Sequence, residues 1–294
     1  MSEALAWPAP AKLNLLLRVL GRRPDGYHLL QTVFQFIDLC DQLYFRVRPD
    51  PVLQRLNEVP GVPADDDLVM RAARLLQIET GCELGAEIRV EKHIPMGGGL
   101  GGGSSDAATT LVALNRLWEC GLETAHLMRL GLQLGADVPI FVHGHAAWAE
   151  GVGEQFTEIE PAMPVYLLLA PAVHVDTGSV FQDPELTRNS HRITIRDFLA
   201  GEHGNDCLPI VRKRYPAVGQ VYDWLDKKAD ARMTGTGACL YAPCAGRLEA
   251  EALLAERPPG VTGFVVQGMN RSPLLEALDQ ARISTSFFGA WPSG

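Results

Sequence analysis

The sequence has few cysteines, and they form no recognisable pattern. Six are scattered over 294 residues, with no C-x-x-C pair among them, so a zinc site is not expected. A chain of this length can bury a complete hydrophobic core without cross-links, and six unpatterned cysteines do not predict a disulfide framework. Neither disulfides nor a structural metal is therefore needed to explain the fold.

Long hydrophobic runs and an excess of basic residues are also lacking. The longest apolar stretch, residues 165–173, is less than half of the ~20 residues that a membrane span needs. The first residues combine no basic segment with an apolar one, so no signal peptide is predicted. Twenty-six Lys and Arg residues face 35 Asp and Glu residues, a net charge of −9, which disfavours binding along a phosphate backbone. We expect a cytoplasmic protein that binds neither membrane nor nucleic acid, as a monomer or weak homodimer.

The hydrophobic patterning predicts a mixture of strands and helices. Residues 12–19 alternate as in a strand, and β-prone runs at 27–37 and 43–47 follow directly. Strands in direct succession favour an antiparallel α+β opening over repeated βαβ units. Helical patterns and a further buried strand follow, at residues 68–76, 106–118, 124–134, 165–169 (the strand), 210–227 and 248–255. A Pro-containing segment at 158–164 suggests a division into two domains, 1–160 and 161–294.

Six glycines occupy seven positions between the predicted strand at 86–91 and the helix from Asp106. Without a Cβ atom the backbone can approach a ligand closely, and successive N–H groups at a helix start attract an anion. A flexible linker or a serine-capped helix is the plainer explanation, but so many glycines cost roughly 0.5–1 kcal/mol each in regular structure. We therefore predict a phosphate site formed by Pro95, Met96, Gly97, Gly98, Gly99, Leu100, Gly101, Gly102, Gly103, Ser104 and Ser105.

The common phosphate-binding classes do not fit this loop. No lysine follows the glycines, as a Walker A motif requires. A Rossmann pattern is present at Gly97, Gly99 and Gly102, but the acid expected ~20 residues later would be Glu123, which lies between two predicted helices. No protein-kinase H-R-D or D-F-G sequence occurs. All three classes are disfavoured.

Three other segments are ambiguous when taken alone. Asp137, beside a proline, is most simply a helix cap or turn residue, and Lys12 is most simply a solvated charge. The segment 233–241 is typical of a glycine-rich turn entering an apolar strand.

Together these segments resemble the GHMP family of small-molecule kinases. The three family motifs match Pro10–Leu15, Pro95–Ala108 and Met233–Cys239, in order. The resemblance implies an N-terminal α+β domain with a left-handed βαβ unit, an exception to the usual handedness. It also implies a C-terminal α/β plait and an active site in the cleft between the domains. The implied cosubstrate is ATP with Mg²⁺, whose protein ligands stay unassigned.

The resemblance also implies roles for individual residues. Asp137 would be the general base for the acceptor hydroxyl, and Lys12 would orient it and stabilise the emerging alkoxide. The segment 25–28, Asp-Gly-Tyr-His, resembles the branch of the family that phosphorylates the 2-hydroxyl of a cytidyl-linked methylerythritol in the non-mevalonate route to isoprenoid precursors. The residues implied for that small-molecule substrate are Asn14, Tyr27, His28, Thr177 and Phe181.

Three alternatives stay open. One is a GHMP kinase for homoserine, mevalonate or a sugar, and another is a nucleotide-binding regulator without turnover. The third is a dehydrogenase built on the glycine pattern at Gly97. The chain also departs from the family near the implied adenosine pocket, where Asp67 stands in place of a frequent asparagine. This extra acid is expected to weaken or redirect an adenine contact.

Overall fold

The computed structural model describes residues 5–24, 26–59 and 67–283. Its first feature is a long antiparallel pair, β1 (Trp7–Arg22) and β2 (His28–Arg48). The two β-prone runs predicted at 27–37 and 43–47 are parts of one strand. The polar residues between them lie at a register shift, where Pro10 pairs with Cys40 and Ala11 with Ile37. A bulge therefore absorbs the interruption that the pattern suggested.

The other elements follow in mixed order. The remaining strands are β3 (Leu53–Arg55), β4 (Gly85–Glu91), β5 (Ala147–Glu150), β6 (Gln155–Glu158), β7 (Val165–Ala170), β8 (Gly204–Asn205), β9 (Arg232–Met233), β10 (Leu240–Cys244) and β11 (Thr262–Met269). The helices are α1 (Leu68–Thr80), α2 (Gly102–Leu117), α3 (Thr124–Leu134), α4 (Val138–His143), α5 (Thr177–Gln182), α6 (Ile195–Leu199), α7 (Leu208–Arg214), α8 (Pro216–Asp226), α9 (Arg247–Ala255) and α10 (Pro273–Ile283).

Strand pairing connects the two halves of the chain. In the first half β3 and β4 pair in parallel with α1 between them, a βαβ unit, and β4 pairs with β2. In the second half β7 lies between β10 and β11. Strand β11 also pairs with β2 through Gly268 and Met269. This short pairing joins the two sheets into one path and fixes how the halves face each other.

Two large hydrophobic cores fill the halves. The first packs α1, α2 and α4 against β2 and β4, and the second packs α7, α8 and α9 around β7 and β10. Helix α10 belongs by sequence to the second half, yet its Leu274, Ala277 and Ala281 are buried in the first core. The division at 160/161 stays a prediction, and α10, the last described helix, packs with the first half.

Helix positions follow the sequence patterns, with shifted ends. Helix α3 has the predicted bounds, whereas α2 begins at Gly102 rather than Asp106. The helical pattern at 210–227 is divided into α7 and α8 at Tyr215, because Pro216 cannot continue the preceding helix. Among the described helices, none is long and apolar enough to cross a membrane.

Candidate active site

The glycine loop enters α2 through left-handed backbone conformations. Gly99 has φ of +75° and Gly101, the N-cap of α2, has φ of +74°. The first helical hydrogen bond runs from the Ser105 N–H to the Gly101 carbonyl, 2.8 Å. The N–H groups before it have no partner within the helix, so the first turn offers donors at the positive end of the helix dipole. Neither Ser104 nor Ser105 caps the helix, because the N-cap residue is Gly101, which has no side chain to form a capping bond.

The third motif packs directly against the glycine loop. The Cys239 N–H donates to the Gly98 carbonyl at 3.1 Å, and Thr234 Oγ1 donates to the Gly99 carbonyl at 3.2 Å. A Cβ atom on Gly99 would lie 2.5 Å from the Thr234 carbonyl oxygen. Glycine at position 99 therefore permits a backbone-to-backbone approach that a side chain would prevent.

Lys12 is a buried ammonium group, not the solvated charge that its position alone suggests. Its side chain is 3% exposed. Nζ donates to Asn14 Oδ1 at 2.5 Å and to the Gly99 carbonyl at 2.9 Å, and it lies 3.4 Å from Asp137 Oδ2. Two of the N–H donors of the ammonium group bond to Asn14 and Gly99, and the Asp137 carboxylate supplies a nearby opposite charge. The charge can therefore persist in the interior.

Asp137 immediately precedes α4 but does not use its side chain as a cap. The carboxylate makes no hydrogen bond to the first turn of the helix and faces Lys12 instead. It is 38% exposed, so a ligand can reach it. Phe141 of the same helix lies where a Cβ on Gly101 would collide with it. Helix α4 thus presents Asp137 to Lys12 while packing against the glycine loop.

Asn14 connects Lys12 to the strand behind it. Its Nδ2 donates to Thr32 Oγ1 at 2.8 Å, and Thr32 Oγ1 in turn donates to the Leu16 carbonyl at 2.6 Å. This chain assigns the amide nitrogen to Thr32 and the amide oxygen to Lys12. The Asn14 N–H donates to Thr234 Oγ1 at 3.0 Å. The network holds the lysine, the first motif and the third motif together.

Two cavities meet at Asp137. One, of about 490 Å³, contains Tyr27, His28 and Phe181 in its wall, and the other, of about 420 Å³, follows the glycine loop from Pro95 to Ser104. The residues that line both are Gly99, Ser104, Asp137 and Thr177. We refer to them below as the aromatic cavity and the loop cavity. Asp137 lies at their junction.

The aromatic cavity is formed by both halves of the chain. The His28 ring stacks on Phe181, with centroids 5.1 Å apart. Thr177 Oγ1 lies 2.8 Å from Thr236 Oγ1. Tyr27 is 62% exposed. A large exposed aromatic ring at a cavity rim is available to a ligand, unlike a core aromatic.

The surroundings of His28 disfavour its protonated form. Burial, followed by the positive charges of Arg188 and Arg22, lowers the pKa of His28 from its ordinary value. Arg188 Nε donates to His28 Nε2 at 3.2 Å, which requires that nitrogen to be unprotonated.

Charged side chains line the loop cavity beyond the glycines. Lys92 Nζ donates to Asp106 Oδ2 at 2.6 Å and to Asp41. Burial and the Asp41 charge raise the pKa of Asp106 to about 7, against the opposing effect of Lys92. Asp67 pairs with Arg55 and caps α1 through a bond from the Val69 N–H, 3.0 Å. The carboxylate of Asp67, the position at which the sequence departs from the family, is therefore already bonded to Arg55 and to the first turn of α1.

Family models and curated relatives agree on what this architecture is. A model of the GHMP kinases N terminal domain matches residues 67–145, and one of the GHMP kinases C terminal domain matches residues 185–257. The 4-diphosphocytidyl-2-C-methyl-D-erythritol kinase of Nitrosococcus oceani is 56% identical over 94% of this chain and 99% of its own length. The chain belongs to the GHMP kinase family. A relative of the same name from Methylococcus capsulatus is 54% identical, over 95% of this chain and 96% of its own.

Solved structures of GHMP kinases share the fold. A crystal structure of 4-(cytidine 5'-diphospho)-2C-methyl-D-erythritol kinase matches with a TM-score of 0.74 at 33% identity, over 90% of this chain and 99% of that one. A mevalonate kinase matches with a TM-score of 0.68 at 16% identity, over 91% and 100% of the two chains, which shows the fold alone. The predicted α+β GHMP kinase fold is confirmed.

The structure of this GHMP kinase brings most of the predicted site residues together. Lys12, Asn14, Tyr27, His28, Thr177, Phe181 and Asp137 line the aromatic cavity, and Pro95 to Ser104 line the loop cavity. Ser105 is fully buried and lies outside both walls. Asp25, the first residue of the predicted segment 25–28, lies outside the described residues.

Several lining residues were not predicted. Thr32 and Phe34 lie on β2, and Lys92 precedes the glycine loop. Arg188 lines neither cavity but donates to His28, and it was not predicted either. Alternation along β2 places Thr32, Phe34 and His28 on one face, and this signal alone could have identified them. Nothing local marks Arg188. Within the described part of the chain, no three or more His, Cys, Asp or Glu side chains are grouped to hold a metal ion.

Proposed function

We propose that this protein transfers the γ-phosphoryl group of ATP to the 2-hydroxyl of 4-diphosphocytidyl-2-C-methyl-D-erythritol, a step of isoprenoid precursor synthesis. The observation that carries the proposal is the place of Asp137, paired with Lys12, at the junction of two cavities. One cavity suits a polyphosphate and the other offers aromatic rings. Relatives that bear the name of this kinase cover nearly the whole chain.

The chemistry needs an alcohol oxygen made nucleophilic beside the γ-phosphorus. Asp137 accepts the hydroxyl proton, the alcohol oxygen bonds to phosphorus, and the bond to the β–γ bridging oxygen breaks to release ADP. Lys12, 3.4 Å from Asp137, stabilises the negative charge that develops on the alcohol oxygen. Positioning and charge stabilisation supply most of the acceleration in such transfers.

The glycine loop fits the phosphates of ATP. Its left-handed glycines let backbone N–H groups approach an anion closely, and the start of α2 adds favourable potential. A Cβ at Gly99 or Gly101 would meet neighbouring atoms within 3 Å, so the cradle depends on the missing side chains. Mg²⁺ would enter as the ATP complex, coordinated largely by phosphate oxygens and water, and would neutralise phosphate charge.

The aromatic cavity fits the cytidine end of the acceptor. Tyr27 and Phe181 offer ring faces in its wall, and stacking of a base on an aromatic side chain contributes roughly 1–3 kcal/mol. His28 offers a ring nitrogen to the base edge, and Asn14 and Thr177 lie between this end and Asp137. Homoserine, mevalonate and sugars carry no base to occupy these rings. We also propose that the enzyme is a cytoplasmic monomer or weak homodimer, which light scattering of the purified chain tests.

The test is ADP release from ATP and Mg²⁺ with four acceptors in parallel: the cytidyl compound, homoserine, mevalonate and galactose. We expect turnover with the cytidyl compound alone. Asp137→Asn should lower kcat by at least about 100-fold with little change in ATP affinity, since it removes the base but not the cradle. Asp226→Asn makes the same change on the exposed end of α8 and controls for charge.

Three results would contradict parts of the proposal. Turnover with another acceptor would preserve the kinase fold and remove the cytidyl assignment. ATP binding without turnover on any acceptor would favour a non-catalytic regulator. Near-normal activity of Asp137→Asn would reject that residue as the base.

A further inference from the structure

Arg188 connects the two walls of the aromatic cavity. Its Nε donates to His28 Nε2 at 3.2 Å, across 160 positions of sequence. Its NH2 group donates to the Phe181 carbonyl at 2.8 Å and the Asp183 carbonyl at 2.7 Å. One guanidinium therefore bonds to the His28 ring and to the backbone of Phe181, the other member of the stacked pair.

The direction of the His28 bond is set by chemistry. A guanidinium group has only N–H donors and stays protonated, so His28 Nε2 must be the acceptor. In a neutral imidazole one ring nitrogen accepts and the other carries the proton. The proton of His28 is therefore on Nδ1, and Nδ1 is a donor. A protonated ring would place an N–H of His28 against the N–H of Arg188. The positive charges of Arg188 and Arg22 also disfavour a protonated His28.

We infer that Arg188 makes this site select cytosine over uracil, by fixing His28 as the Nδ1-protonated tautomer. The inference rests on the proposed cytidyl substrate. Cytosine and uracil differ at N3, which is an acceptor in cytosine and an N–H donor in uracil. An Nδ1–H of His28 pairs with cytosine N3 and opposes uracil N3–H. Arg188 is thus a positioning residue that acts through His28.

The first experiment measures the tautomer directly. The ¹⁵N resonances of the His28 ring distinguish a protonated from an unprotonated nitrogen in the free protein. We expect wild type to carry its proton on Nδ1, and Arg188→Met to move a large share of it to Nε2. Arg22→Met is the matched control, because it removes the other nearby cation without a bond to His28 Nε2. Its tautomer should stay that of wild type. A proton on Nε2 in wild type would overturn the inference, whatever the variants do.

The second experiment measures base selectivity without turnover. Cytidine diphosphate and uridine diphosphate are titrated separately and followed by the His28 resonances. We expect wild type to favour the cytidine compound by at least about tenfold, since a site built around one hydrogen-bonding pattern rejects the opposite one. Arg188→Met should bring the two affinities together, while Arg188→Lys, which keeps a donor, should retain part of the preference.

These readouts separate the inference from the proposed function. Preference for the cytidine compound that disappears in Arg188→Met supports the inference even if the kinase assay fails with every acceptor. Equal affinities in wild type, or no binding of either nucleotide, would overturn it even if the kinase assay succeeds. Should Arg188→Met fail to fold, a wild-type proton on Nε2 or equal wild-type affinities still overturns the inference, and a reduced cytidine preference in Arg188→Lys supports it.

Discussion

Replacement of Gly99 by alanine tests whether the glycine loop and the third motif act as one packed unit. The new Cβ would lie 2.5 Å from the Thr234 carbonyl oxygen, whereas real Cβ atoms stay beyond 3.0 Å. The two backbones must therefore separate by at least 3.0 − 2.5 = 0.5 Å. The Gly99 carbonyl would move with them, and it accepts the bond from Lys12 Nζ.

The expected cost has two parts. Alanine at a left-handed φ costs roughly 1–2 kcal/mol, and overpacking adds typically about 1–3 kcal/mol. Gly260→Ala isolates the first part, because Gly260 has φ of +77° and nothing within 4 Å of its added Cβ. At about 2–4 °C per kcal/mol, Gly99→Ala should melt roughly 2–12 °C below Gly260→Ala.

Activity should separate the two variants more strongly. A misplacement of about 1 Å near the reacting groups can cost on the order of 100-fold in rate, so half that displacement should cost on the order of tenfold. We expect kcat/KM for ATP to fall by about that factor in Gly99→Ala and to stay near wild type in Gly260→Ala. Differential scanning fluorimetry and the ADP-release assay measure the two effects. Equal melting temperatures and equal activities in the two variants would refute the packing argument.

Three further predictions concern other parts of the site. Thr32→Val removes the acceptor of Asn14 Nδ2. Because loss of a buried hydrogen-bond partner costs roughly 1–3 kcal/mol, Lys12 should be held less firmly and kcat should fall about tenfold. Thr32→Ser should restore kcat, and equal kcat in the two variants would exclude a role for Thr32 in positioning Lys12. Tyr27→Ala should chiefly raise KM for the cytidyl acceptor, and an unchanged KM would reject stacking. The pKa of Asp106 is raised to about 7 in the folded protein. The folded state therefore binds this proton up to a higher pH than the unfolded chain does, and the free energy of unfolding falls as pH rises toward 7. Asp106→Asn should therefore gain melting temperature relative to wild type between pH 5 and 8, and a constant difference would contradict the shift.

The elements of the fold were predicted best where local pattern decides them. Helix α3 and strand β4 match their patterns within one residue, because periodicity and flanking residues set them. Short elements such as α4 and β5 were not predicted, since a few residues carry too little periodicity. The start of α2 was placed four residues late, because glycine has poor helix propensity. Packing of Gly101 against Phe141 and Lys12 overrides that propensity.

The site was predictable only through the resemblance. Lys12 and Asp137 are 125 positions apart, and no local rule relates a strand lysine to an acid before a short helix. Taken singly, both favoured a structural explanation. In the structure, two hydrogen-bond acceptors and one carboxylate surround the buried ammonium group of Lys12. These three groups come from three different segments of the chain.

The same reasoning explains why Arg188 was missed and what its position implies. A surface-prone arginine after a turn has no distinguishing pattern, and its partner His28 lies on β2. The local sequence shows that a histidine is present, but a hydrogen bond from a distant residue determines which of its ring nitrogens carries the proton. The resemblance implies His28 as a base contact, but in the proposed arrangement Arg188 decides which ring nitrogen donates and which accepts. The proposed choice between cytosine and uracil therefore depends on tertiary structure, even though the resemblance already implies His28 as the residue that contacts the base.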